Sequence, residues 1–403
     1  MYFLPKFLSK IITKDGFILI TPDNQKFLIG NPIKDKPLEV QVSKNVSEFK
    51  CIMHSERWIP EYIISKDITF NSGSLEDFLT ICISNKGRGD INFFNSFISK
   101  TKSFYRRLIS LNTKKRNKDS ISFHYDIPSQ VYKWMLKDSM MYSCAFFDKG
   151  GPEHQTLDEA QYAKIDFLKK KLRLSNKDSL LDIGCGNGTF ILKCAEEYNI
   201  PMHGISLSEE QTKVAKEKQK EKNLGNANIT FEVKDFKDIK DKNYSRLISV
   251  GQFEHISNQN DGYYKYFKKI YDLLTEDGIA VVHYIGSNTK PKAENDFIQR
   301  YIFPNGRCPS LSEVLPALER SGLLLADVDT WRKHYYYTLM EWHKNFMNKK
   351  KEITKLMGEK FTTIYRIYLW GCSQAFLNDL QVYQLTLTKK IDTVPITKKY
   401  LFN

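Results

Sequence analysis

The first stretch of the chain, FLPKFLSKIITK, repeats apolar residues at helical spacing. Phe3, Leu4, Phe7, Leu8, Ile11 and Ile12 share one face, and Lys6, Lys10 and Lys14 fall near the other. This predicts a basic amphipathic helix, which either packs onto its own domain or lies on a membrane surface. From Gly16 the period shortens to two. FILIT, KFLIG and LEVQVS alternate as half-buried strands over residues 16–45, with a turn at Asp23-Asn24. Helical spacing returns around residues 75–84 and 92–98. Residues 1–98 are therefore predicted to form a small α+β domain.

A basic linker at 99–120 follows. Lys100, Lys102, Arg106, Arg107, Lys114, Lys115, Arg116 and Lys118 mark either a solvated helix or a patch for lipid headgroups. From residue 121 to 403, helices alternate with short apolar runs. The runs are SLLDIG (179–184), MHGISL (202–207), ITFEV (229–233), RLISVG (246–251) and IAVVHYIG (279–286). This alternation predicts an α/β fold, a doubly wound and mostly parallel sheet. LLLADVD (323–329) and LQVYQLTLT (380–388) would complete it as an antiparallel pair, with a helical, aromatic cap inserted at about 331–379.

Composition narrows the setting. Of 403 residues, 41% are hydrophobic and 27% charged, as in a folded globular protein. No apolar run reaches the roughly 18–20 residues of a membrane span, and the N-terminal lysines argue against a secretory signal. Seven cysteines with no CxxC pair suggest reduced thiols and a cytoplasmic setting. A formal net charge of +14 favours a polyanionic partner. The absence of a helix-turn-helix, zinc-finger or RNA-binding signature weighs against nucleic acid and leaves an anionic lipid surface.

The sharpest motif is LDIGCGNGTF (181–190). A strand ends at Asp182, and Gly184, Gly186 and Gly188 turn the chain into a helix, with Cys185 between the first two. The acid before the glycines, the GxGxG spacing and the lack of an acidic residue about 20 positions on favour S-adenosylmethionine over a dinucleotide. Ser206, Ser208 and Gln211 offer polar groups to a ribose or carboxylate after the second strand. Asp235, after the third, is placed to accept a hydrogen bond from an adenine amino group, with Phe236 beside it in the same candidate site.

The chain resembles the cyclopropane-fatty-acyl-phospholipid synthases and their mycolic-acid relatives, a family of class I, Rossmann-like methyltransferases. The likeness is carried, in order, by FHYDI (123–127), MYSCAFF (141–147), the glycine loop, SLSEEQ (206–211), VGQFEHI (250–256), HYIG (283–286), RYIFPNG (300–306), YYYTLMEWHKNF (335–346) and YLWGCSQAF (368–376). It implies that Tyr142 and Ser143 join the cofactor pocket. It also implies a bicarbonate ion acting as base, held by Cys144, Glu254, His283, a backbone group of Ile285, and Tyr335. Cys372 falls where the family has a Cys often named as the active-site residue. Unsaturated phospholipids at the inner face of the membrane, peripheral association and a homodimer follow from the same likeness. Asn187, Ser245 and His334 depart from the family's usual Trp, Asp and Asp, and Ser129-Gln130 stands where Asn-Asp is common.

The chemistry is coherent with these residues. Methylating an isolated alkene develops positive charge on the acyl chain, which aromatic faces stabilise without trapping. Phe146, Phe147, Phe253, Tyr335, Tyr336, Tyr337 and Trp342 are candidates. Each polar residue also has a plainer reading: Glu254 as a helix cap, His283 as a core histidine, Tyr335 as packing, Cys144 as a small buried hydrophobe. Cys372 reads as structural on chemical grounds, because alkene methylation has no step needing a thiolate. A methyl-branched acyl product or amine methylation is the alternative outcome on the same fold.

Overall fold

The computed structural model describes residues 1, 3–33, 35–85, 127–224, 228–240, 243–289 and 294–402. The basic linker at 99–120, the apolar segment at 92–98 and most of FHYDI lie outside them. The chain divides into two compact units. One comprises Met1–Val131, Lys292–Pro304 and Trp342–Asn378, and the other Tyr132–Pro291, Asn305–Glu341 and Asp379–Asn403.

In the first unit the N-terminal helix is Phe3–Ile11. It buries Leu4, and Ile12 just beyond its end, in its own unit, although Phe3 stays exposed. Strands β1 (Gly16–Ile20), β2 (Lys26–Gly30), β3 (Glu39–Val42) and β4 (Ile68–Ser72) form a sheet in the order β2-β1-β3-β4. Helices Glu48–Met53 and Ser55–Ile64, and β4 after them, do not stand out in the sequence. Pro60 inside the second helix hides its periodicity. Helix Leu75–Ser84 is fastened to helix Lys350–Ala375 by Glu76, which accepts bonds from Arg366 at 2.8 and 3.1 Å and contacts His343 at 3.2 Å. Burial works against that carboxylate, yet the bonds from His343 and Arg366 hold it at about 2.

The second unit is built on seven strands: β5 (Leu180–Ile183), β6 (Met202–Ser206), β7 (Ile229–Val233), β8 (Tyr244–Val250), β9 (Leu274–Ser287), β10 (Leu324–Trp331) and β11 (Leu380–Thr388). Their order is β10-β11-β9-β8-β5-β6-β7. The five strands from β7 to β9 are parallel, and β11 runs antiparallel to both β9 and β10. The doubly wound sheet read from the sequence is therefore present, antiparallel pair included. Apolar residues bury both faces in alternation. Leu181, Ala280 and Val282 join one core with helices Gly262–Leu273 and Leu311–Ser321. Leu180, Ile279 and Val281 join another with helices Leu157–Leu172 and Thr189–Ala195.

Strand order reverses at β5, whose neighbours are β6 on one side and β8 on the other. In open α/β sheets this switch point opens a crevice at the carboxyl ends of the strands, and ligands bind there. Helix Leu157–Leu172 is tied to β10 by Lys171, which is fully buried between Asp327 and Asp329 and bonds Asp327 at 2.9 Å. Among the described residues no helix is long and apolar enough to cross a membrane, and no cluster of side chains is arranged to hold a metal ion.

Candidate active site

The glycine loop sits at that switch point. Gly184, Gly186 and Gly188 all have positive φ, at 84°, 54° and 75°. A Cβ on Gly188 would meet Ala215 and Phe231 at 2.8 Å, so this glycine allows close packing. A Cβ on Gly186 would meet nothing within 4 Å. That open space at the strand end is where a ligand can approach the backbone. Asp182 is buried just before the loop, and burial raises its carboxyl to about 7. Cys185 is largely buried in the adjoining core.

Beyond β6, Ser208 caps helix Glu209–Glu221 by accepting from the Gln211 N–H, and Ser206 Oγ donates to Gln211 Oε1 at 3.0 Å. The three expected polar residues thus form one bonded group at the carboxyl end of β6. Asp235 follows β7 and accepts from the Lys237 N–H. The ring of Phe236 turns into the core, 5.3 Å from Tyr266. Phe253, expected among the cation-facing aromatics, is likewise fully buried among Tyr263, Tyr266, Phe267 and Tyr284. It belongs to the core.

Residues 139–147, in neither a helix nor a strand, carry Tyr142, Ser143 and Cys144 and are pinned by three elements. From the glycine loop, Asn187 Nδ2 and Thr189 Oγ1 donate to the carbonyls of Met140 and Ser139 at 3.4 and 3.0 Å. From helix Leu157–Leu172, Gln161 donates to the carbonyls of Met141 and Ser143, and Lys164 donates to Ser143 Oγ at 2.7 Å. From helix Lys333–Asn348, Thr338 Oγ1 accepts from the Ala145 N–H and His334 Nδ1 from the Phe147 N–H. Asn187 and His334, two departures from the family pattern, are therefore both structural partners of this segment. Ser245, another departure, donates to Asp178 at 2.7 Å at the opposite end of the sheet.

Glu254 follows β8 in a short 3-10 turn and is buried. Its Oε1 accepts from the Ile285 N–H at 2.7 Å, and its Oε2 has no hydrogen-bond partner among the described residues. The carboxylate reaches strand β9, so the helix-cap reading fails. Burial raises it to about 7, against the lowering effect of the Ile285 bond. His283, two residues before Ile285, is buried and lies 3.0 Å from Gln384 Nε2 through Nδ1. Burial and then the positive charges of Lys164 and Lys171 hold its imidazole well below the usual range. Cys144 is fully buried, and burial pushes its thiol up. Tyr335 is buried in the first turn of helix Lys333–Asn348, between His334 and Thr338, which bond the Cys144 segment. Cys372 and Trp342 belong to the other unit. Burial raises the Cys372 thiol to about 12.

Two residues of this site escape a reading of the sequence. Gln161 and Lys164 are fully buried on a helix whose lysines look like an ordinary solvated face. The one signal is positional: Lys164 falls on the arc of Ile165, Leu168 and Leu172.

Known proteins match this arrangement. The sequence model of the mycolic acid cyclopropane synthetase family matches residues 112–385. A probable fatty acid methyltransferase of Pseudomonas putida is 35% identical over 269 residues, 65% of this chain and 67% of that protein. The cyclopropane-fatty-acyl-phospholipid synthase of Escherichia coli (strain K12) is 32% identical over 287 residues, 71% and 72% of the two chains. A solved cyclopropane synthase of Mycobacterium tuberculosis superposes with a TM-score of 0.62 at 28% identity, covering 68% of this chain and 99% of that one. A mycolic acid cyclopropane synthase solved with SAH and CTAB gives 0.61 at 28% identity, covering 67% and 97%. With the glycine loop at the switch point and the family's motifs in order around it, the chain belongs to the mycolic acid cyclopropane synthetase family and is an S-adenosylmethionine-dependent methyltransferase.

Proposed function

We propose that this enzyme adds a methylene group across the cis double bond of an unsaturated phospholipid acyl chain, giving a cyclopropane, with bicarbonate as the base. The observation that carries this reading is the buried Glu254 carboxyl, bonded to the Ile285 amide through one oxygen and without a partner at the other among the described residues, with His283 two residues before Ile285 on the same strand. A desolvated carboxyl with an unpartnered oxygen suits a small protonatable oxyanion, and the open space beside Gly186 suits a nucleoside cofactor. The relatives' names point to the same acceptor class.

When bound, S-adenosylmethionine supplies an electrophilic sulfonium methyl. One C–S bond breaks and two C–C bonds form, while one proton leaves the new methyl for the base. Gly184 to Gly188, Ser206 to Gln211 and Asp235 would hold the cofactor, with Tyr142 and Ser143 closing over it. Cys144, Glu254, His283, Ile285 and Tyr335 would hold the oxyanion. The stack of Phe146 on Trp331, with centroids 4.5 Å apart, offers apolar and π surface that keeps water from the developing cation.

Basic residues of the N-terminal region would bring the enzyme to an anionic bilayer from the cytoplasmic side. Flotation with anionic vesicles should therefore weaken as salt rises. Feeding isotope-labelled methionine to cells expressing the protein tests the chemistry. A labelled fatty acid one CH2 heavier than its unsaturated parent, and resistant to mild hydrogenation, supports cyclopropanation. Label in a branched chain that keeps a double bond assigns the methyl-branching reaction instead. No label in lipid overturns the lipid acceptor.

A further inference from the structure

Lys164 has no part in the reaction outlined above, yet it is fully buried. Its ammonium carries three donors, and Ser143 Oγ, at 2.7 Å, is its one hydrogen-bond partner among the described residues. Among the described residues no carboxylate pairs with it. Lys171, on the same helix, is by contrast held by Asp327 and Asp329. A buried cation without a counter-charge is costly, so it gives up its proton more readily unless an anion balances it.

The groups facing Lys164 are suited to such an anion. Ser143 adjoins Cys144, whose thiol feels the Lys164 charge, and His283 on β9 feels it too, together with that of Lys171. Neither the thiol nor the imidazole is charged near neutral pH, because burial disfavours both ions. Of the two lysines whose charge acts on His283, Lys171 is paired with carboxylates and Lys164 is not, among the described residues. Burial brings its ammonium down to about 7, against the opposing influence of Cys144, so a bound anion would restore the charged form.

We propose that Lys164 is a positioning residue whose buried ammonium, anchored on Ser143 next to Cys144, retains the small oxyanion that serves as base. This rests on the reading that such an ion is the base.

The test uses the full chain with 13C-bicarbonate, its binding followed by NMR titration, beside calorimetric titration of the cofactor. Lys164→Met removes the charge and the bond to Ser143, whereas Lys164→Gln keeps a donor for Ser143 and removes only the charge. Both variants should weaken bicarbonate binding by about tenfold or more, the size of a lost charge-assisted contact. In Lys164→Gln, which keeps the bond to Ser143, affinity for the cofactor alone should stay within about twofold, and in both variants the bicarbonate concentration giving half-maximal turnover should rise in parallel. Normal bicarbonate affinity in Lys164→Gln overturns the proposal. So does a loss of cofactor affinity with bicarbonate binding intact, which would assign Lys164 to the cofactor segment. A wild-type protein that binds no bicarbonate removes the base reading itself, an outcome distinct from normal binding in wild type and variants alike.

Discussion

Gln384 on β11 stands directly opposite His283 on β9, and its amide nitrogen lies 3.0 Å from His283 Nδ1. An amide nitrogen only donates, so Nδ1 accepts and the proton of the neutral ring resides on Nε2. The register of two antiparallel strands therefore sets the tautomer of the histidine. Gln384→Met should leave the fold intact and slow turnover about threefold to tenfold, the worth of one neutral hydrogen bond of roughly 0.5–1.5 kcal/mol. Turnover measured at saturating cofactor checks this, and an unchanged rate would show that the ring is oriented without Gln384.

Glu254 gives a pH signature. Its carboxyl is raised from 4.5 to about 7, so its neutral form suits the folded protein. That contribution is complete below 4.5 and is lost as pH rises through about 7. Glu254→Gln cannot ionise and keeps an oxygen for the Ile285 N–H. At pH 8 the variant should melt at or above the wild-type temperature, while turnover falls on the order of 100-fold. A variant that melts well below wild type at pH 8 would contradict the electrostatic assignment.

His334 works in the opposite direction. Burial lowers its imidazole from 6.5 to about 4, against the pull of Asp148, and Nδ1 must stay unprotonated to accept from Phe147. Its stabilising contribution is present above 6.5 and is lost as pH falls through about 4, with an upper bound of about 3 kcal/mol. Urea unfolding between pH 7 and 4 should show this loss, and His334→Asn should flatten it.

Cys372 should be dispensable for chemistry. With its thiol at about 12, the thiolate is scarce at neutral pH. Cys372→Ala should retain turnover within about twofold. A loss of activity with unchanged melting would give this cysteine a chemical role.

Lys171 is one of three buried lysines on its helix, with Lys164 and Lys169. Lys171→Met leaves Asp327 and Asp329 without it and should cost roughly 3–5 kcal/mol in chemical unfolding. Lys398 also reaches Asp327, so a cost well below that range would mean this partly exposed lysine compensates.

The sheet was legible because both of its faces are buried, which leaves runs such as VVHYIG almost free of charge, bounded by polar turns. The glycine loop was legible because positive φ at three positions admits little else. Glu254 was legible only as one of two possibilities, since its bond to Ile285 depends on how β8 and β9 lie side by side. Helices Glu48–Met53 and Ser55–Ile64 were hidden by Pro60 and by polar residues on both faces. Gln161 and Lys164 were hidden for a different reason. Burial of a lysine depends on what packs over it, here the segment 139–147, and no local pattern of one helix reports its neighbour.

That segment has a thermodynamic consequence. Ser143 and Cys144 are consecutive residues of one tightly pinned strap, the first proposed to face the cofactor and the second the oxyanion. Whatever shifts the strap toward one ligand alters the other's surroundings in the same displacement. If both ligands bind as proposed, their affinities form a closed cycle, so any effect of one on the other is returned by the same factor. A redesign that loosens the strap to admit a bulkier acceptor would erode both affinities together, whereas changes confined to β9 and β11 would leave the coupling in place.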